Sequence, residues 1–448
     1  MKITVINGSP KGKESITYHH VLFLEKHFKA LDFTYLHIGR NIKKYLNNID
    51  EVIDQMIESD LVLVIYPVYT FVVPYQLMAF FNSLNFHQRK DELKDIYVSQ
   101  LSTSKHFYDI TAYDYVKLQA QSLGMSYLDG VTIDMNDLLI EKGRFRLVSF
   151  MDKVIDQVNR KIKYPYYKVQ ALPLNDFYYE QVPEPDKIKS SVLVIYNGVN
   201  YSETLKNMIS AFENLCEYEV HRLDLSNVNI RGGCLGCLRC VYTSHCVYKD
   251  EYEKMYQDKI HKADVIVYAS DIDNHYIHED FKLLDDRAFY NGHRVNVKKK
   301  AVTYLLNGSL TTEFNLKMII EAKAEVGHMC LLKPVTTESD DILEDIKRLT
   351  YDLSYFMKHQ PEARSSFYGV GGMKVFRDLV YDMRGLMVED HKYYKKNNLY
   401  DFPRKSYLRN VGFYLMHRLM KHPKMFNKYI GRMNHYILTR YKNVLEDK

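Results

Sequence analysis

No secretory leader is expected in this 448-residue sequence, since Met1-Lys2 runs straight into the strand-like Ile3-Thr4-Val5-Ile6. With only six cysteines, four of them in one run, a disulfide framework is not expected, and a reducing, cytoplasmic compartment is. Hydrolytic machinery is missing as well. The eighteen histidines are scattered, and no Ser/His/Asp order or paired carboxylates stand out. No aromatic-and-basic motif of a nucleic-acid module is present, which argues against nucleic acid as a partner. One nearly uncharged stretch, 61–81, has the length of a membrane span but contains Pro67 and Pro74. It reads as a buried strand over 61–65, a loop, and a helix opening near Pro74, so no transmembrane segment is expected.

What is present is dominated by Gly233-Cys234-Leu235-Gly236-Cys237-Leu238-Arg239-Cys240 with Cys246, a C-x2-C-x2-C-x5-C run. Thiolates two residues apart on a curled loop can point at one centre, and a fourth closes a tetra-thiolate cage, the ligation that iron–sulfur clusters take. A [4Fe-4S] cluster on Cys234, Cys237, Cys240 and Cys246 is the first reading. Zinc, which usually takes thiolates as two separated pairs, stays open, as does a remnant loop whose cysteines only pack or oxidise. Gly232, Gly233 and Gly236 give such a loop its backbone freedom. Cys216 and Cys330 lie in apolar sequence and read as buried bystanders.

The chain repeats itself coarsely. Strand-like patterns at 3–6, 34–37, 61–65, 96–101 and 131–134 alternate with helical ones, and the second half follows the same order at 192–196, 219–223, 265–269, 301–306 and 329–332. Alternation of this kind predicts an α/β fold: two tandem flavodoxin-like, doubly wound parallel sheets, each with its ligand at the carboxyl ends of the strands. Proline at 165, 173, 183 and 185 marks the joint. The expected organisation is a domain at 1–165, a linker at 166–188, a second domain at 189–360 and a basic helical extension at 361–448. That extension carries roughly ten more basic than acidic residues, whereas the whole chain has a formal net charge of only +5.

After the first strand come Asn7-Gly8-Ser9-Pro10-Lys11-Gly12-Lys13-Glu14-Ser15-Ile16-Thr17 and an apolar helix. Ser9, Pro10, Lys11, Ser15 and Thr17 make a loop at a helix N-terminus that offers N–H groups, hydroxyls and positive charge to an anion. The third strand leads into Pro67, Val68, Tyr69, Thr70 and Phe71, an apolar and aromatic wall for a flat ring. The fourth leads into Ser102, Thr103, Ser104 and His106. Three such loops at one sheet edge point to flavin mononucleotide (FMN).

On these residues the chain resembles two fused copies of the NADPH-dependent FMN reductase-like branch of the flavodoxin-like superfamily. Its second copy resembles the iron–sulfur flavoproteins of anaerobic bacteria and archaea. The family's Gly-Ser-Pro-Arg/Lys loop is matched by Gly8, Ser9, Pro10 and Lys11, and its Pro-x-Tyr loop by Pro67 and Tyr69. The compact four-cysteine run is matched by Cys234, Cys237, Cys240 and Cys246, and a lysine followed by Asp-Arg by Lys282, Asp286 and Arg287. The likeness covers about residues 1–360. The halves depart from it in complementary ways. The first has no cysteines after its second strand. The second has the cysteines but reads Asn197-Gly198-Val199-Asn200-Tyr201-Ser202 in its first loop and Ser270-Asp271-Ile272-Asp273 in its next, where Asp271 and Asp273 would repel a flavin phosphate.

The resemblance implies an oxidoreductase that passes electrons between a donor, a [4Fe-4S] cluster and FMN to a small-molecule acceptor. NAD(P)H is the family's usual co-substrate, and a ferredoxin-type carrier is as credible a donor; the basic extension reads first as helices packing on the two halves and second as a docking surface for an acidic ferredoxin- or flavodoxin-like carrier. Two other readings stand beside it: an NAD(P)H-dependent FMN or quinone reductase with a structural cysteine loop, and a non-enzymatic redox or metal sensor. Family members work as oligomers in which a cluster serves a neighbour's flavin. The 234–246 loop is therefore expected at the interface between the halves, facing 8–17 and 67–71, with a homodimer as the other way to join the sites.

Overall fold

A computed structural model describes residues 1–166, 169–180, 186–199, 201–243, 245–291, 299–362, 364–402, 407–426 and 428. The first half runs β1 (Lys2–Asn7), α1 (Ile16–His27), β2 (Asp32–Leu36), α2 (Ile42–Asn47), α3 (Ile49–Ile57), β3 (Leu61–Pro67), α4 (Tyr75–Phe86), β4 (Tyr97–Ser104), α5 (Asp109–Ser122), β5 (Ser126–Tyr127), β6 (Val131–Asp134) and α6 (Glu141–Asn159). Its parallel sheet has the order β2-β1-β3-β4-β5, and β6 also pairs with β4. The central strand β3 is buried from Leu61 to Tyr66, which is why it is apolar without alternation. Pairing of Asn7 with Ile65 and of Pro67 with Thr103 brings the carboxyl ends of β1, β3 and β4 to one edge.

The second half repeats the plan: β7 (Ile188–Tyr196), α7 (Glu203–Leu215), β8 (Tyr218–Asp224), α8 (Arg239–Thr243), α9 (Tyr252–Met255), β9 (Val265–Asp273), β10 (Tyr276–Ile277), α10 (Glu279–Arg287), β11 (Ala301–Asn307), α11 (Phe314–Val326), β12 (Cys330–Leu331), β13 (Val335–Thr336) and α12 (Ile342–His359). The order β12-β11-β9-β7-β8 is the same flavodoxin-like arrangement, with a short antiparallel β10 added beside β9. β7 begins at Ile188, earlier than the apolar pattern announces, because Ile188 pairs with Tyr218 across an irregularity in register. The described part of the expected linker is anchored on the second half. Asn175 N donates to Thr337 O at 2.8 Å, and Tyr179 Oη donates to Asn214 Oδ1 at 2.7 Å. Pro183 and Pro185 lie outside the described residues.

Corresponding helices join the halves: α10 packs on α4, and α11 on α5. Asn82 Nδ2 donates to Glu279 Oε2 at 2.6 Å and Asn315 Nδ2 to Thr111 O at 3.0 Å. Phe81, Tyr115, Tyr276 and Phe281 belong to one hydrophobic core that crosses the joint, whereas α1 with α6, and α7 with α12, cover separate outer cores.

Two compact units result, residues 1–394 and 395–448. The first therefore includes α13 (Phe367–Asp382) and most of α14 (Val388–Lys396), and the second contains α15 (Tyr407–Met420). The charge of the extension divides at the same place. Residues 361–394 hold five basic and five acidic side chains, and 395–448 hold thirteen against three. Among the described residues no helix is long and apolar enough to cross a membrane.

Candidate functional site

β1 ends in Asn7, whose buried side chain shapes the loop after it. Asn7 Oδ1 accepts from Ser9 N at 3.0 Å, and Nδ2 donates to Gly12 O at 3.1 Å and lies 3.1 Å from His37 Nδ1. Gly12 turns the chain at φ +56°, tight against Arg40. Ser15 caps α1, its Oγ accepting from Tyr18 N at 3.1 Å. The amides of Ile16 and Thr17 have no intrahelical acceptor and give this end of the helix its partial positive charge. Ser9, Pro10, Ser15 and Thr17 are buried and Lys11 is half-buried. Thr17 Oγ1 meets Thr103 Oγ1 at 2.6 Å, which ties the first loop to the third. Burial, then the charge of Lys13, holds the His37 imidazole below its ordinary value.

The second loop doubles back after Pro67. Val68 N donates to Thr103 O at 3.1 Å, and Tyr69 pairs with Val72. Thr70 and Phe71 stand at φ +41° and +69°, a region that side-chain-bearing residues occupy only where their surroundings enforce it. Thr111 Oγ1, donating to Phe71 O at 2.5 Å, is one restraint. The rings of Phe107 and Tyr108, 5.7 and 4.7 Å from that of Phe71, are another. Pro67, Val68, Tyr69 and Thr70 are half-buried. In the third loop Ser102 and Thr103 are buried, and Ser104 Oγ accepts from His106 N at 2.8 Å. The exposed His106 ring is engaged by Asp109 Oδ2 at 2.7 Å.

The 234–246 loop of the second half lies on these first-half loops, as the complementary departures predicted. Gly236, at φ +61°, rests against Tyr69 Oη and Lys11 Cε so closely that a side-chain carbon would overlap the phenol. Gly233 likewise rests on Tyr75 and Gln76 at the start of α4. Helix α10 fixes the contact. Lys282 Nζ donates to Tyr69 O at 2.8 Å and pairs with Asp286, whose second oxygen accepts from Tyr75 N at 2.8 Å. Both charges are buried and satisfied by each other and by backbone. Arg287 forks onto Asp250 through two 2.9 Å bonds, donates to Gly232 O at 3.1 Å and lies over the rings of Tyr248 and Tyr252. Burial first, then Cys234, Asp286 and Cys237, drives the Tyr69 phenol above its ordinary value.

Cys234, Cys237, Cys240 and Cys246 line one cavity with Tyr248 and Arg287, and none is in a disulfide. Burial pushes the Cys234 thiol up to about 12, opposed by Gly236 N–H, which donates to its Sγ at 3.4 Å. Among the described residues, however, no three His, Cys, Asp or Glu side chains are gathered as metal ligands. The sulfurs share a cavity without converging on one centre as the spacing predicted. Cys237 is exposed between Gly236 and Leu238, both at positive φ, while Cys234, Cys240 and Cys246 are half-buried. In identity and in sharing a cavity the thiols fit a tetra-thiolate group; in spacing they stand open.

The equivalent cleft of the second half is filled by the chain itself. Asn197 Oδ1 accepts from Val199 N at 3.0 Å, repeating Asn7, and Ser202 caps α7 as Ser15 caps α1. Here, however, Ser202 N donates to Asp271 Oδ2 at 2.9 Å, and Asn307 Nδ2 reaches Asp271 Oδ1 at 2.7 Å and Ser202 Oγ at 3.0 Å. An internal carboxylate thus stands at a helix N-terminus, where a phosphate would otherwise be received. Sequence reasoning missed Asn7, Tyr75 and Asp250. The Asn-Gly that closes the first strand of both halves was the available signal for Asn7.

Residues 1–136 match the family model of NADPH-dependent FMN reductase. Solved structures with similarity include an NADH:FMN oxidoreductase in its apo form, 19% identical, covering 37% of this chain and 91% of its own, TM-score 0.30. A flavoenzyme NAD(P)H:acceptor oxidoreductase from Paracoccus denitrificans is 19% identical over 36% of this chain and 97% of its own, TM-score 0.29. An FMN-dependent NADH-azoreductase from Bacillus anthracis, in complex with FMN, is 13% identical over 36% and 98%, TM-score 0.27. No curated protein matches the chain.

Proposed function

We propose that this chain is a cytoplasmic redox flavoprotein with FMN in its first half and a [4Fe-4S] cluster in the cysteine loop of its second, passing electrons from NAD(P)H or a ferredoxin-type carrier to a small-molecule acceptor. When bound, the flavin exchanges one or two electrons and the cluster one, so the pair couples one-electron to two-electron partners. Ser9, Pro10, Lys11, Ser15 and Thr17 receive the phosphate with the amides at the start of α1. Residues 67–71 wall the ring, and Ser102, Thr103, Ser104 and His106 border it. Cys234, Cys237, Cys240 and Cys246 hold the cluster. The Gly236 amide and the Arg287 guanidinium favour anionic sulfur beside them. The observation that carries this reading is the seating of Gly236 on Tyr69 and Lys11, which sets the cysteine loop of one half against the flavin loops of the other.

Anaerobic purification followed by a visible spectrum tests it: flavin bands with a broad, bleachable shoulder are expected, and flavin without iron overturns the cluster. The open spacing of the thiols favours a second reading, a reductase whose cysteine loop is structural. Cys237→Ser separates the two. On the first reading it keeps FMN and loses cluster-dependent flavin reduction; unchanged turnover supports the second. The thirteen basic residues of 395–448 suit an acidic protein carrier, and raising the salt should then slow exchange with it. A rate indifferent to ionic strength would remove that partner.

A further inference from the structure

Helix α13 follows the second α/β half in sequence yet reaches back to the first. Its N-terminus sits on Glu325 of α11, whose Oε2 accepts from Ser366 N at 3.0 Å and Ser366 Oγ at 3.1 Å. One turn on, Gly372 presses on Tyr108: a carbon added at Gly372 would stand 2.5 Å from Tyr108 Cε2 and 3.0 Å from its Oη. Tyr108 Oη donates to Tyr368 O at 2.7 Å, and the Phe376 ring lies 5.9 Å from Phe107. Tyr108 is itself held at φ +53° and meets Phe71 edge to face. Phe71 belongs to the second loop, and its backbone is one of the two there in the left-handed region. A continuous packed path therefore runs from Gly372 through Tyr108 to the ring wall. At neighbouring Gly371 an added carbon would meet nothing within 4 Å.

We infer that α13 is a positioning element of the flavin site, with Gly372 setting Tyr108 and, through it, Phe71. The inference rests on FMN occupying the first half. A leucine at Gly372 has no room without displacing the Tyr108 ring, and overpacking of this kind is enough to weaken a ligand held by the displaced wall about tenfold.

FMN titration of the flavin-stripped full chain, followed by fluorescence and by the circular dichroism of the bound flavin, provides the test. Gly372→Leu should bind FMN about tenfold more weakly with an altered flavin dichroism, and Gly371→Leu should match the unsubstituted chain. Tyr108→Ala should also weaken FMN, and adding Gly372→Leu to it should cost nothing more, since the ring that transmits the displacement is gone. Should Gly372→Leu fail to fold, Tyr108→Ala alone decides: undiminished affinity overturns the inference. Equal affinity of the two leucine variants overturns it too. A Ser9→Glu variant that loses FMN while Gly372→Leu keeps full affinity would break this inference and leave the flavin reading standing. An unsubstituted chain that binds no FMN would overturn both.

Discussion

In the first half, Asn7 and Ser15 shape a loop of serine, lysine and glycine at the start of α1; in the second, Asn197 and Ser202 shape its counterpart at α7, and Asp271 fills it. The scaffold of an anion site thus outlives the site. An internal carboxylate beside the capping serine holds the start of α7 through Ser202 N and Asn307 Nδ2. The cysteine loop shows the converse, present in the second half and absent from the interval 37–41 of the first. Only across the joint, where Gly236 meets Tyr69, do the cysteine loop and the first-half loops face each other.

The sharpest way to break this contrast is to charge both first loops. Ser9→Glu should abolish flavin binding, because a carboxylate enters the buried loop proposed to receive the phosphate, while Val199→Glu at the matching, exposed position should leave one flavin per chain. Retention by the first variant, or two flavins in the unsubstituted chain, would make the halves equivalent after all. Next in size, Lys282→Met strands the buried Asp286 carboxylate and should cost about 3–5 kcal/mol in denaturant unfolding. Lys206→Met, removing an exposed pair with Glu203, should leave the unfolding curve essentially where it was. Asp271→Ala should cost about 1–3 kcal/mol, because Ser202 N and Asn307 Nδ2 lose a charged acceptor. Millimolar phosphate should restore part of that stability in the variant and leave the unsubstituted chain unmoved. The smallest effect concerns acid. Burial lowers the values of His20 and His37 in the folded first half, so their contribution is present above the ordinary histidine value near 6.5 and fades as pH falls through the lower folded values. A His37→Asn variant should lose less thermal stability than its parent between pH 7 and pH 5.

Much of the fold was legible because buried parallel strands announce themselves as apolar runs, and residues 61–65 and 301–306 did so. The start of β7 was not, since Ile188 is followed by Lys189, Ser190 and Ser191 and is held by backbone pairing alone. At the site, the loops around Ser9, Tyr69 and Cys234 were readable from residue type and order. The bond from Lys282 to Tyr69 O spans 213 residues of sequence, and no periodicity encodes it. Asp271 was read as a repellent, and its bonds to Ser202 N and Asn307 Nδ2 went unforeseen, because the sequence gives its charge and not its acceptor geometry. Packing of the extension on the α/β halves was the first reading and holds for its neutral first part; counting charge over 361–448 as one block concealed where the basic part begins.

The joint between α4, α5, α10 and α11 also has a consequence for concentration. Two separate chains meeting through such a surface part on dilution, to an extent set by their dissociation constant. Here both sides belong to one polypeptide, so their encounter is unimolecular, with an effective concentration reaching the millimolar range even for a flexible tether. Any traffic between the cysteine loop and the 67–71 wall should therefore keep the same first-order rate however scarce the protein becomes.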